Sequence, residues 1–416
     1  MPILDTRTPI DPIIATGSSG AGTSSDPVRA AYLHIPFCRR RCHYCDFATG
    51  LGTAELIERY VQVLCAEIRQ WPLDQGSPTL STIFLGGGTP SLLSGAQLGR
   101  ILETLSTCIG IDSAAEISME ANPGTLESGQ MVDYHAAGIN RVSLGVQAFQ
   151  PHLLEACGRS HGVTEVYDAV AAIRETGIHN FNLDLIFGLP HQSLDDWRES
   201  LARVIELDPT HVSLYDLSIE PATQFGRLYR PGDTPLPTDE QTVEMYGMAI
   251  ERLTGAGYHH YEISNFAQPG SQCRHNRVYW QNQNYYGFGM GAVAYIGHRR
   301  LHQPRKLHDY FQQVAQHRCP EADATSLLDQ WQDTLMLGLR LREGLDLEVM
   351  GSRFPATWIE AALQVLEPYR AKGWVDWDPQ RLWMIPPQGW LFSNSILTDL
   401  FASAEQAADI DEPNRL

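Results

Sequence analysis

Tyr32-Leu-His34-Ile-Pro-Phe-Cys38-Arg-Arg-Arg-Cys42-His43-Tyr44-Cys45-Asp-Phe47 carries three cysteines in the spacing C-x3-C-x2-C, and no fourth cysteine follows nearby. A loop this short lets three thiolates face one soft-metal centre. Three sulfurs on a four-iron cubane leave one iron without a protein ligand, and an open iron is a place for chemistry. A zinc site would need a fourth ligand such as His34 or His43, but structural zinc favours two ligand pairs separated by a longer loop. A disulfide framework fits poorly, because Cys65, Cys108, Cys157, Cys273 and Cys319 are scattered and a chain of this size needs no staples.

Around this loop, short β-rich apolar runs alternate with helix-like stretches. Strands are expected at 31–35, 79–85, 115–120, 141–147, 180–187 and 211–217. Amphipathic segments at 54–70, 95–108, 126–137, 164–176, 194–207 and 238–254 read as helices. This alternation predicts an α/β fold with a parallel sheet: six βα units forming an open partial barrel, with an open doubly wound sheet as the runner-up. The expected organisation is a disordered leader over 1–27, the barrel over 28–256 and an extension over 257–324. A small helical, winged-helix-like module over 325–402 and a disordered tail over 403–416 complete it.

The cysteine triplet with Tyr44 in the aromatic place before Cys45 resembles the signature of the radical S-adenosylmethionine (SAM) superfamily. That resemblance implies a [4Fe-4S] cluster on Cys38, Cys42 and Cys45, with SAM on the open iron and one-electron cleavage of its C5′–S bond. Gly86-Gly87-Gly88-Thr89-Pro90, directly after the second strand, permits close backbone approach. Beside the triplet it resembles the element that holds the amino group of SAM. Further strand ends are similar to those of oxygen-independent coproporphyrinogen III oxidases and their relatives: Glu120, Gln147, Arg159, Asp184 and, more weakly, Ser218. With Tyr32, Tyr44, Gly87, Gly88 and Thr89 they are the SAM-contact candidates. Each has an ordinary alternative as a cap, turn residue or surface ion pair, but polar groups at the C-terminal ends of successive barrel strands converge on one mouth.

Two features separate this chain from the oxidases it resembles. The oxidases carry a further cysteine two residues beyond the triplet, where this chain has Phe47, and they have a longer N-terminal segment. Cys273-Arg-His275-Asn276-Arg-Val-Tyr279-Trp280 resembles an H-N-x-x-Y-W signature of HemW-type heme chaperones. The resemblance implies heme binding by His275, Asn276, Tyr279 and Trp280, with His275 as axial ligand and Cys273 as an alternative. On its own the segment reads equally as a packed loop. The function implied is to bind heme and pass it to an acceptor protein, with an electron donor serving the cluster. The alternative is radical oxidative decarboxylation of coproporphyrinogen.

A net charge of −19 over 416 residues argues against nucleic acid as a partner, and no apolar run reaches membrane-spanning length. Free thiols and an oxygen-sensitive cluster suit a reducing cytoplasm.

Overall fold

The computed structural model describes residues 27–72, 78–126 and 128–411. The expected leader, Pro27 apart, lies outside the described residues. Six parallel strands form the frame: β1 (Ala30–Ile35), β2 (Leu80–Gly87), β3 (Ile111–Ala121), β4 (Arg141–Gln147), β5 (Asn180–Phe187) and β6 (His211–Asp216). The connecting helices are α1 (Ala54–Gln70), α2 (Gly95–Cys108), α3 (Ser128–Ala137), α4 (Pro151–Ala156), α5 (Val163–Glu175) and α6 (Leu194–Leu207).

The six expected strands lie side by side in sequence order, β1 to β6. A hairpin of β7 (His259–Glu262) and β8 (Asn265–Ala267) adds antiparallel to β6, and β9 (Tyr286–Phe288) adds parallel to β1. Since β7 and β9 end the order without pairing to each other, the barrel stays open. The edge strands are three or four residues long, too short to show an alternating pattern in sequence.

Alternation of side chains along each strand sorts the two faces. Ile83, Leu85, Ile117, Met119, Val142, Leu144, Leu183 and Leu185 join the core beneath the helices. Their neighbours on the strands (Thr82, Glu116, Ser118, Glu120, Arg141, Ser143, Asn182 and Asp184) take the other face, toward the lumen. The helices present matching apolar stripes: α1 buries Ile57, Tyr60, Val61, Leu64 and Ile68 at i, i+3 and i+4 spacing. Their starts are defined by caps, as where Ser94 and Gln97 form a capping box on α2. Trp197 of α6 is wholly buried, and its Nε1 donates to the Met245 carbonyl at 2.8 Å, joining α6 to α8 (Asp239–Gly255).

The C-terminal module has its own core, in which Trp331, Leu335, Leu366, Ile396 and Leu400 are buried. Three helices (Leu327–Gly338, Ala356–Ala371 and Ser393–Asp411) surround a three-stranded antiparallel sheet, order Leu345–Asp346, Arg381–Met384, Val375–Trp377. It is joined to the barrel by backbone hydrogen bonds from Ile263 to Arg340 and from Arg342 to Tyr261. One expectation is corrected here. The tail expected to be disordered from residue 403 continues the last helix to Asp411, because Ser403 and Ala404 are buried on the face that also carries Leu397 and Leu400.

Candidate functional site

The cysteine loop leaves the C-terminal end of β1 and is held at several points. Cys38 N donates to the Gly50 carbonyl and Gly50 N to Pro36. His43 N donates to the Cys157 carbonyl, the His43 Nδ1 pairs with the Ala156 carbonyl at 2.8 Å, and Phe225 N donates to the His43 carbonyl. The loop is therefore clamped between α4 and α7 (Gln224–Leu228). Cys38, Cys42 and Cys45 are free, partly buried thiols, and burial raises Cys38 and Cys45 above the usual thiol range, with their neighbouring sulfurs adding to it. Among the described residues no three metal-ligating side chains already converge as a mononuclear site. Three free thiols on one clamped loop are a donor set that suits an iron–sulfur cluster.

Second-layer groups point at the same sulfurs. Thr89 Oγ1 donates to Cys38 Sγ at 3.7 Å, and Arg159 Nη1 donates to Cys42 Sγ at 3.3 Å. Asn122 ties the two together: its Nδ2 donates to Thr89 at 2.9 Å, and its Oδ1 accepts from Arg159. Asn122 carries no signal in the sequence, and His34, weighed there only as a zinc ligand, takes a different part. His34 bonds Tyr32 and the Ala48 carbonyl, and its ring lies where a Cβ on Gly87 would stand.

That close approach explains the glycine run. Gly87 has φ +107°, a left-handed conformation glycine adopts freely, and its N–H donates to Glu120 at 2.9 Å. A Cβ on Gly88 would sit 2.7 Å from the Phe37 carbonyl oxygen. Glu120 is pushed up to about 7 by burial and secondarily by the charge of Asp184. Asp184 is raised by burial, though Ser143 donates to it at 2.9 Å and Asn182 at 2.7 Å. Gln147 sits at a β-bulge with φ 71°, a strained conformation that turns its amide at the end of β4. Tyr44 packs on Phe225 beside the loop, and Ser218 is exposed just past β6. The mouth thus gathers two carboxylates, a guanidinium, amides and hydroxyls: partners for an amine, a carboxylate and ribose hydroxyls.

The H-N-x-x-Y-W segment lies elsewhere. It forms α9 (Arg274–Trp280), which plugs the opposite end of the lumen. Glu116 of β3 accepts from the backbone N–H groups of Arg274 and His275, both at 3.1 Å, and from the Cys273 thiol at 3.7 Å. His275 is wholly buried: its Nδ1 pairs with Thr82 at 3.0 Å, its Nε2 with Tyr279 at 2.8 Å, and its ring stacks on Phe84. Burial holds its pKa down at about 3, with Arg141 adding to the effect.

In this structure the expected axial ligand is enclosed. His275 has no free ring nitrogen and no solvent access, so ligation would require breaking two buried hydrogen bonds. The Cys273 thiol is equally enclosed and pushed up to about 12, mainly by burial. Tyr279 serves His275, and Trp280 lies under the Arg340 guanidinium at 5.6 Å. Asn276 is partly buried on the same helix.

Comparison with known proteins agrees with this geometry. The Radical SAM superfamily model matches residues 32–204, and the HemN C-terminal domain model matches 325–392. The heme chaperone HemW of Synechocystis is 41% identical over 91% of this chain and 97% of its own length. The chain belongs to the HemW family. The HemW of Bacillus subtilis is 35% identical over 89% of this chain and 98% of its own length, and that of Escherichia coli 43% identical over 64% and 70%. Among solved structures, the radical SAM enzyme coproporphyrinogen III oxidase (HemN) of Escherichia coli superposes with a TM-score of 0.79 at 26% identity, over 90% of both chains. The open α/β barrel followed by a small helical module is thus the architecture of this family. No helix among the described residues is long and apolar enough to cross a membrane.

Proposed function

We propose that this chain is a heme chaperone that binds heme and passes it to an acceptor protein, and that it carries a [4Fe-4S] cluster and SAM at the barrel mouth. The observation that carries this reading is identity over nearly the full length of a protein named as a heme chaperone, from the first strand through the C-terminal module. Phe47, where the resembling oxidases carry another cysteine, supports it.

Cys38, Cys42 and Cys45 hold the cluster in this reading, which when bound supplies an electron and a vacant iron. The chain's own groups bind and orient. Gly87 and Gly88 leave room and backbone polar groups for the SAM amine, while Glu120 and Asp184 take an amine or ribose hydroxyls. Gln147 offers both a donor and an acceptor. Arg159 orients Cys42 and has charge to spare for a carboxylate. Tyr32 and Tyr44 give the pocket an aromatic wall, and Ser218 stands at its rim. A reduced cluster requires an electron donor, and heme transfer requires an acceptor; both are partners in this reading. Free thiols of this kind suit a reducing cytoplasm.

The likeness to the solved oxidase favours a second reading, oxidative decarboxylation of coproporphyrinogen. Anaerobic assay of the reconstituted protein separates the two. The chaperone reading expects a Soret shift on heme titration and no protoporphyrinogen from coproporphyrinogen. Product formation overturns a chaperone-only role, and absence of heme binding overturns the chaperone.

A further inference from the structure

Beneath the mouth, the lumen holds a cation that no hydrogen bond in the fold satisfies. Arg141 opens β4 on the lumen face and is 2% exposed. Its Nε has no hydrogen-bond partner, and among the described residues its guanidinium forms no ion pair or hydrogen bond. Cys273, Glu116, Tyr261 and Asp184 lie within electrostatic reach and favour its charge against burial, but the two carboxylates spend their hydrogen bonds elsewhere. Glu116 accepts from the α9 backbone and Cys273, and Asp184 from Ser143 and Asn182. Buried donors without hydrogen bonds are costly, and they are free to serve a ligand.

A second, independent vacancy stands beside it. Ser118 is the register partner of Arg141 across the β3–β4 pair, is wholly buried, and its hydroxyl has no partner. Two neighbouring strands therefore offer unspent donors to the same part of the lumen. The next lumen-facing pair along these strands is Glu120 and Ser143, two residues nearer the mouth, or about 7 Å. The donors sit one side-chain layer below the candidate SAM contacts and above the α9 plug. A fork of guanidinium N–H groups with an adjacent hydroxyl matches the two oxygens of a carboxylate.

We propose that Arg141 and Ser118 form a carboxylate-binding subsite in the barrel lumen that receives a propionate arm of heme. This rests on the heme-binding reading above. The subsite fixes the orientation of the macrocycle by one acidic edge, while the mouth residues serve SAM.

The test compares heme with its dimethyl ester, which keeps the ring and iron but lacks the carboxylates. Both are titrated against the full-length, cluster-reconstituted protein and followed in the Soret band. The wild-type chain binds the diacid at least about tenfold more tightly than the diester, as expected for a charge-assisted buried contact. Arg141→Gln brings the ratio close to one, Arg141→Lys retains part of it because a point charge replaces a fork, and Ser118→Ala lowers it a few-fold. Free propionate weakens binding of the diacid and leaves the diester untouched.

Equal wild-type affinity for both forms overturns the subsite while leaving heme binding intact. An unchanged ratio in folded Arg141→Gln also overturns it. Should that variant not fold, unchanged ratios in both Arg141→Lys and Ser118→Ala do so. If the wild-type chain binds neither form, the heme reading itself fails and the subsite with it.

Discussion

The two ends of one barrel lumen use similar residues for opposite purposes. At the mouth, Thr89 and Arg159 bond thiols and Asn122 ties them together, Glu120 and Asp184 line the strand ends, and strained or side-chain-free backbone at Gln147 and Gly87 opens space. At the plugged end, His275, Tyr279, Thr82, Glu116 and Cys273 are paired with one another and shielded from water. Histidine, cysteine and carboxylate residues are ligand types at both ends. What separates a site from a scaffold here is unspent bonding capacity: Arg159 Nε at the mouth and the Arg141 layer retain it, while His275, Glu116 and Cys273 are paired.

The largest expected break in this comparison is Cys38→Ala. Anaerobic reconstitution should give essentially no cluster absorbance near the visible thiolate-to-iron bands, and iron per chain should fall from about four to below about one. A normal iron content would remove the mouth from the argument. At the plugged end, His275→Ala strands the Thr82 and Tyr279 hydroxyls in a dry interior. It should cost about 2–4 kcal/mol in denaturant titration. The Soret spectrum of the heme-loaded variant should match wild type; a shifted or lost band would return His275 to the role of ligand.

A pH series sharpens the contrast at the junction with the C-terminal module. Glu262 is wholly buried, and burial pushes it up to about 8 from 4.5 although Ser264 and Asn265 favour its charged form. The folded chain therefore keeps a proton that the unfolded chain releases. This group's contribution to stability is complete below about pH 4.5 and declines as pH rises toward 8. Glu262→Gln should remove that part of the slope and stabilise the chain at pH 8 by on the order of 2 kcal/mol. An unaltered slope would show that Glu262 finds a donor in solution. The smallest effect is expected from Phe47→Ser. Phe47 is 65% exposed, so stability should stay within about 0.5 kcal/mol and iron content should not change.

Much of the frame was readable from local pattern. The strand at 141–147 and the helices at 54–70, 95–108 and 194–207 match the observed β4, α1, α2 and α6 end to end. These elements carry strong periodicity and defined caps. The short strands β7, β8 and β9 were not readable, because three or four residues carry no period and their pairing depends on partners far along the chain. The continuation of the last helix past residue 402 carries little local signal, because Glu405 and Gln406 are exposed and only two small residues, Ser403 and Ala404, mark the buried face.

For the site, the division is similar. The cysteine spacing and the glycine run state their chemistry locally, since one loop must hold three sulfurs and only glycine permits the approach at Gly87. Asn122 acts through Thr89 and Arg159, which distant segments bring to it, and nothing beside it in the chain announces this.

By itself, the sequence determined that three thiols share one loop at the end of a βα barrel, because spacing and periodicity are local properties. Tertiary structure alone decided which polar residues remain unpaired. It enclosed His275 between Thr82 and Tyr279 and left Arg141 and Ser118 without partners, because hydrogen-bond satisfaction depends on what other strands bring into reach.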